Sequence, residues 1–366
     1  VLVAAALLLA SCSGSGPQTS LNPKGPMSRD IDNLWQLVFI IAAIVFTVVQ
    51  VGLLYSLWRY RARKGDDREP VQLHGNTRLE ILWTIIPVVI LASIGVPIIK
   101  GIFEIHEIPV GPDVVQVKVT GHQWWWEFAY PDLTSDDGRS LVTANELHIP
   151  AGRKVNLTMT SADVIHSFWV PSLAGKRDLV PGRISHLTLE ADDPTPPGEP
   201  LPGQCAEFCG LSHADMRFKV FVETDAGFQA WADQQLTPGT VPTGDPAAAG
   251  WEVFSTTCTA CHRATMLQDG TVSVVGVERH VDVRGETFVS SLAPDLTHFG
   301  SRTTFAGSVF DNTPEHVATW LADPSAVKPM NPDRNDLTTG RVLGMPNFGL
   351  DQAQIEGLTA MLEGWQ

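Results

Sequence analysis

The sequence predicts a multi-domain chain of 366 residues: a two-helix transmembrane hairpin, an all-β sandwich, and an all-α C-terminal domain. Three observations carry that prediction. Two apolar runs, Leu34–Trp58 and Ile81–Ile99, hold no charged residue, and each is long enough to cross a bilayer as a helix. From about Asp113 the pattern changes: Val115, Val117 and Val119 alternate with Gln116, Lys118 and Thr120, the period of a half-buried strand. After a Pro/Gly/Ala-rich stretch comes Cys258-Thr259-Ala260-Cys261-His262, and the chain closes on a helical pattern, Asp351–Leu362.

Residues 1–12, VLVAAALLLASC, read as the apolar core of a secretory signal. The small residues before Cys12 resemble a bacterial lipoprotein cleavage box, which would make Cys12 the lipidated first residue; an ordinary signal cut elsewhere is the alternative. Residues 13–33, Ser/Gly/Pro-rich as far as 26, form a tether. In the hairpin, residues 34–103, Trp35, Tyr55 and Trp58 sit where interfacial anchors sit. Arg59, Arg61, Arg63, Lys64 and Arg68 follow the first run, so the positive-inside rule places that loop in the cytoplasm and everything after about residue 101 outside. Pro87 and Pro97 in the second run are better tolerated in membrane helices than in soluble ones. Glu80 stands where the second helix leaves the cytoplasmic surface, and an interfacial anchor is its default reading.

The formal net charge of −15 argues against nucleic-acid binding and is compatible with basic protein partners. Five cysteines resolve as Cys12, the pair Cys205/Cys209 and the pair Cys258/Cys261, with none left for a structural disulfide. In the sandwich, residues 104–224, further strands are expected at Leu147–Pro150, Val155–Thr160, Ile184–Glu190 and Phe218–Val222, separated by Pro/Gly turns. A short amphipathic helix, Thr224–Gln235, and a linker complete residues 225–250.

Gln204-Cys205-Ala206-Glu207-Phe208-Cys209-Gly210-Leu211-Ser212-His213-Ala214-Asp215-Met216 gathers two thiols, an imidazole and a thioether. Soft sulfur with imidazole selects copper or zinc, and the methionine favours copper. An exported C-x3-C alone would read equally well as a disulfide. With His166 upstream the set exceeds what one blue-copper ion needs and fits two copper ions bridged by both thiolates. The run resembles the binuclear copper A motif of cytochrome c oxidase subunit II. The resemblance implies a cupredoxin fold and the ligands His166, Cys205, Glu207 through its carbonyl, Cys209, His213 and Met216. It also implies that the Glu207 carboxylate shares a magnesium ion with subunit I. In Gly121-His122-Gln123-Trp124-Trp125-Trp126-Glu127-Phe128, core packing accounts for at least one tryptophan; by resemblance Trp124 is where electrons enter, with Trp125 replacing the family's usual Tyr. Leu79–Pro87 resembles the family's second helix, which carries to Glu80 a place at the mouth of a proton-uptake path into subunit I.

Residues 251–366 are expected to form a cytochrome c domain. C-x-x-C-H is the c-type haem attachment signal, with both thiols bonded to the porphyrin and His262 on iron; a redox C-x-x-C is the alternative. Met266 is too close in sequence to reach the other face, which leaves Met345, in a Met-Pro step before the closing helix, or Met330. Pro294–Arg302 and Asn312–Glu315 resemble the haem-c domain fused to subunit II in some bacterial oxidases, while residues 263–291 exceed what that resemblance explains. The whole pattern implies a two-pass subunit of a bacterial cell-membrane oxidase, beside subunit I and subunit III. A cytochrome c or cytochrome bc donor would pass electrons through haem c and the copper pair to subunit I, where dioxygen is reduced and protons are pumped. A membrane-tethered carrier serving another reductase would leave Glu80 and the Trp cluster unexplained, and a quinol oxidase subunit would lack the copper ligands.

Overall fold

The computed structural model describes residues 16, 18–61, 65, 72, 74–332 and 343–366. The signal, Cys12, and Arg63, Lys64 and Arg68 of the basic loop lie outside the described residues. The chain divides into two compact units, one of residues 29–107 and one of residues 1–28 with 108–366.

The smaller unit is built on two long helices, α1 (Pro26–Arg59) and α2 (Thr77–Ile105). At a rise of about 1.5 Å per residue, both exceed the roughly 30 Å of a bilayer core. Both are apolar enough to span one, and their spanning stretches bury nothing within the protein. Pro26 opens α1, at a position where its missing N–H costs nothing. Asn76 caps α2, its side chain accepting from the backbone of Arg78 and Leu79. Glu80 closes the cap from the other side, its Oε1 accepting the Asn76 N–H at 3.2 Å.

The larger unit contains a sandwich of two five-stranded sheets. The first runs β3 (Ser140–Ala144), β2 (Trp125–Thr134), β1 (Val115–His122), β5 (Val155–Ser161), β8 (Ser185–Leu189). The second runs β4 (Glu146–Pro150), β10 (Arg217–Glu223), β9 (Leu201–Cys205), β6 (His166–Trp169), β7 (Arg177–Leu179). β1 pairs in parallel with β5, and β4 with β10; the other pairs are antiparallel. Alternation drives the packing: Val117, Val119, Leu157 and Met159 point inward from one sheet, and Leu147, Phe168, Phe218 and Val220 from the other. Helix α3 (Asp225–Leu236), capped by Thr224, packs Phe228 and Trp231 against Tyr130.

The C-terminal portion is not all-α. Helices α4 (Ala247–Thr257), α5 (Pro314–Ala322), α6 (Pro324–Val327) and α7 (Gln352–Gly364) are present among the described residues, but short strands lie among them. β11 (Gly239–Thr240) pairs with β12 (Arg263–Gln268), which forms a hairpin with β13 (Thr271–Gly276). β14 (His280–Val283) forms a second hairpin with β15 (Glu286–Val289), and β16 (Thr304–Phe305) pairs with β17 (Phe310–Asp311). The reason is local. Asp269-Gly270 and Arg284-Gly285 both have positive φ, as a two-residue hairpin turn demands. The flanking Thr271-Val272-Ser273-Val274-Val275 run favours strand. The surplus 263–291 is therefore two β-hairpins. A second core gathers Phe254, Met266, Val317, Leu358, Met361 and Trp365 where α4 crosses α7. That crossing needs Gly250, because a β-carbon there would lie 2.1 Å from the Gly357 carbonyl oxygen.

The C-terminal lobe packs directly on the sandwich. Buried Glu146 on β4 accepts from Thr303 N, Thr303 Oγ1 and Thr304 N at 2.9, 2.6 and 3.2 Å. The second hairpin lies beside β1: Thr120 Oγ1 donates to the Val289 carbonyl, and Lys118 pairs with Glu286 at 2.9 Å. Ser291 N donates to buried Glu127.

Candidate metal centre and cofactor cavity

β6 and the loop after β9 bring the predicted copper ligands together at one end of the sandwich. Cys205 Sγ lies 3.8 Å from Cys209 Sγ, 3.2 Å from the Glu207 carbonyl oxygen and 3.9 Å from His166 Nδ1. Cys209 Sγ lies 3.6 Å from His213 Nδ1 and 3.8 Å from Met216 Sδ. Both cysteines are free thiols, so the disulfide alternative is not realised. The ligand atoms of His166, Cys205 and Cys209 fall within 4.8 Å of one another, a spacing that fits a metal.

The surroundings fix these donors. Gly121 leaves room for His166, since a β-carbon there would come within 2.9 Å of the ring. Asp163, which the sequence reading passed over, holds His166 Nε2 at 2.8 Å and so turns Nδ1 toward the sulfurs. Burial is the largest influence on both and opposes charge, but their mutual hydrogen bond and attraction, joined by Cys205 beside His166 and by His122 near Asp163, together outweigh it: His166 is held above its ordinary range and Asp163 below. A hydrogen bond with Cys209 pulls the Cys205 thiol down to about 3, while the same contact pushes Cys209 up. An Asp three residues before a ligand His was the available signal for Asp163.

The Cys209 carbonyl receives two bonds, from Gln123 Nε2 at 2.6 Å and from Trp124 Nε1 at 3.0 Å. Trp124 is only 4% exposed, so it is no surface residue. It is covered because it forms one wall of a cavity between the sandwich and the C-terminal lobe. Trp126 belongs to the core, edge-on to Phe168 and Phe218, and Trp125 stacks on His122. His148 is stacked between Phe221 and Trp231.

That cavity, with the open space at its mouth, holds about 1020 Å³. Cys258, Cys261, His262, Met330 and Met345 line it, opposite Trp124 and Trp125. Met266 is not among its walls; it is buried in the second core. His262 Nδ1 lies 2.8 Å from the Pro294 carbonyl, to which it donates, leaving Nε2 as the free ring acceptor. Burial lowers the His262 pKa and pushes the Cys258 thiol up to about 11. Met345 packs with the C-terminal core and accepts from Trp320 Nε1 at 3.1 Å, whereas Met330 packs against the sandwich. Two attachment thiols, a neutral imidazole and a thioether around an apolar space fit a covalent haem.

Two family descriptions match the chain: cytochrome c oxidase subunit II, transmembrane domain, over residues 20–100, and cytochrome c oxidase subunit II, periplasmic domain, over residues 115–223. Cytochrome c oxidase subunit 2 of Alkalihalophilus pseudofirmus is 37% identical over 330 residues, covering 89% of this chain and 87% of the relative. The Bacillus subtilis protein of the same name is 33% identical over 336 residues, covering 89% and 88%. Quinol oxidase subunit 2 of Bacillus cereus is 34% identical over 226 residues, covering 60% and 74%.

Proposed function

Since the chain belongs to the family of cytochrome c oxidase subunit II, a component of the haem–copper oxidase complex, we propose that it relays electrons between two centres of its own, taking them from a cytochrome donor and delivering them to subunit I. Two copper ions on His166, Cys205, Cys209, His213, Met216 and the Glu207 carbonyl would supply one one-electron carrier, and haem c on Cys258, Cys261, His262 and Met345 the other. The observation that carries this reading is that Trp124 belongs to both places: its ring walls the cavity while its indole N–H bonds the Cys209 carbonyl.

The residues act by holding still. The Asp163 bond orients His166, the two sheets anchor the ligand loops, and Pro294 fixes the tautomer of His262. A rigid ligand set lowers the rearrangement that accompanies each electron. Phe208 and Leu211, 76% and 64% exposed, make an apolar tip beside the metal loop, suited to burial against subunit I. Exposed Glu207 beside them offers a carboxylate for a magnesium ion at that contact. The retained donors set this chain apart from the quinol oxidase reading. We further assign the cupredoxin and cytochrome domains, residues 104–224 and 251–366, to the extracytoplasmic side of a bacterial membrane, with Cys12 lipidated and Glu80 at a proton path in subunit I. Cytochrome c or the cytochrome bc complex is the donor, and subunit III a further neighbour.

The test is to express the full chain with haem-c maturation, load it with copper in detergent, and count both cofactors while recording the copper EPR spectrum. Two coppers per covalent haem, with one electron shared over both metals, is the expected result. A single copper, or an oxidised Cys205–Cys209 pair, would overturn the copper assignment. Loss of the iron–sulfur charge-transfer band in Met330→Ala but not Met345→Ala would reverse the axial assignment.

A further inference from the structure

Lys328 is an unusual lysine. It is 4% exposed, and it lines the cavity that also holds Cys258, Cys261 and His262. Its Nζ donates to the Trp124 carbonyl at 3.0 Å and to the Ala306 carbonyl at 2.8 Å. One acceptor belongs to the sandwich and the other to the C-terminal lobe. An ammonium has three donors, so among the described residues one remains. Among the described residues no carboxylate lies within ion-pair distance; Asp215 acts on it from farther off and approaches Arg217 at 3.9 Å. A buried cation without a counter-charge is costly, and such groups are ordinarily paired. Here burial pushes the ammonium down to about 7 against the pull of Asp215 and Cys209.

Haem carries two propionate carboxylates on an otherwise apolar ring. We propose that Lys328 is the counter-ion for a haem propionate, and that it ties the haem edge to the Trp124 backbone across the seam between lobes. The inference rests on the haem reading above. It makes Lys328 a positioning residue, because its hydrogen bonds run from the cofactor to the tryptophan whose indole meets the Cys209 carbonyl. Of the other ionisable groups facing the cavity, His262 donates to Pro294 and the two cysteines are the attachment thiols; Arg302, which donates to the Asp295 carbonyl, is a second cation on its wall.

The experiment uses the full haem- and copper-loaded chain in detergent. The haem midpoint potential is measured from about pH 6 to pH 8 in the wild type, Lys328→Met and Lys328→Arg, with covalent haem quantified in each. Without its counter-charge a buried carboxyl is pushed above its ordinary range, by up to about 3–5 units when fully buried, which brings a propionate into that window. The expected result is a nearly flat potential in the wild type and a potential that falls with rising pH in Lys328→Met. Lys328→Arg is expected to restore the flat profile. A haem-bearing Lys328→Met with the wild-type profile would overturn the proposal while leaving the haem reading intact. Absence of covalent haem from the wild type would overturn both, and the haem count distinguishes the two failures. Should Lys328→Met not fold, a flat wild-type carboxylate signal in redox-difference infrared spectra of haem labelled at the propionates, unaltered in Lys328→Arg, would refute the contact.

Discussion

Replacing Glu146 by Ala should unlatch the C-terminal lobe from the sandwich without unfolding either. The carboxylate is 4% exposed and accepts three hydrogen bonds, all from Thr303 and Thr304 of the other lobe. Bonds to a charged group contribute about 1.5–3 kcal/mol each, but they do not add. Thr303 is exposed, so water can replace what it loses. Thr304 is 2% exposed, and its N–H would be left unpaired at a cost of about 1–3 kcal/mol. Together these set the expected loss at about 2–3 kcal/mol, which raises the population of the opened seam roughly 30- to 150-fold. Native-state hydrogen exchange in the full chain reads this directly. The amides of Thr303 and Thr304 should lose protection by that factor, while Leu157, deep in the sandwich, should not change. Glu146→Gln keeps an acceptor and should show about half the effect in free energy. Protection at Thr304 unchanged within about twofold in Glu146→Ala would refute the view that this carboxylate holds the lobes together.

Three further outcomes are expected. Gly250→Ala should lower the melting temperature of the C-terminal lobe, because the new methyl meets the Gly357 carbonyl and overpacking costs about 1–3 kcal/mol; an unchanged melt would mean that α4 and α7 can slide apart. Asp163→Asn should weaken copper binding by about 10–100-fold in a chelator competition, since the ligand His166 loses its anionic partner; equal affinity would show that Nδ1 is oriented by packing alone. In the haem-free Cys258→Ala/Cys261→Ala chain, His262 and His298 are held below the ordinary range by burial. The unfolded state then binds more protons, so stability should fall as pH drops below about 6.5. Thermal melts at several pH values check this, and His298→Asn should flatten the slope.

The candidate metal donors were legible because each is a rare residue type at a spacing that chemistry restricts. His166 and the Cys205–Met216 run converge as the sequence implies, and so do Cys258, Cys261 and His262 on one cavity. The sandwich was legible from alternation in β1, β4, β5, β8 and β10. β2 was not, because Trp125–Tyr130 are all buried and such a run shows no period of two. The hairpins at 263–291 announced themselves through Asp269-Gly270, a turn signal that the expectation of a helical haem domain overrode. What no local pattern carries is the seam. Glu146 and Thr303, or Trp124 and Lys328, lie far apart in sequence, and only tertiary packing makes them neighbours. For the same reason an exposed Trp124 was the natural expectation: nothing in residues 121–128 reveals that another lobe lies over them.

The shared wall of the cavity also bears on how the lobes come together. Its walls come from different lobes, Trp124 and Trp125 from the sandwich and Cys258, Cys261 and His262 from the C-terminal lobe, so its shape depends on how the lobes dock. A group carried by Cys258 and Cys261 would meet the sandwich wall, Trp124 and Trp125, only when the lobes dock. The tip of the loop between Cys205 and Met216, at Phe208 and Leu211, faces outward instead.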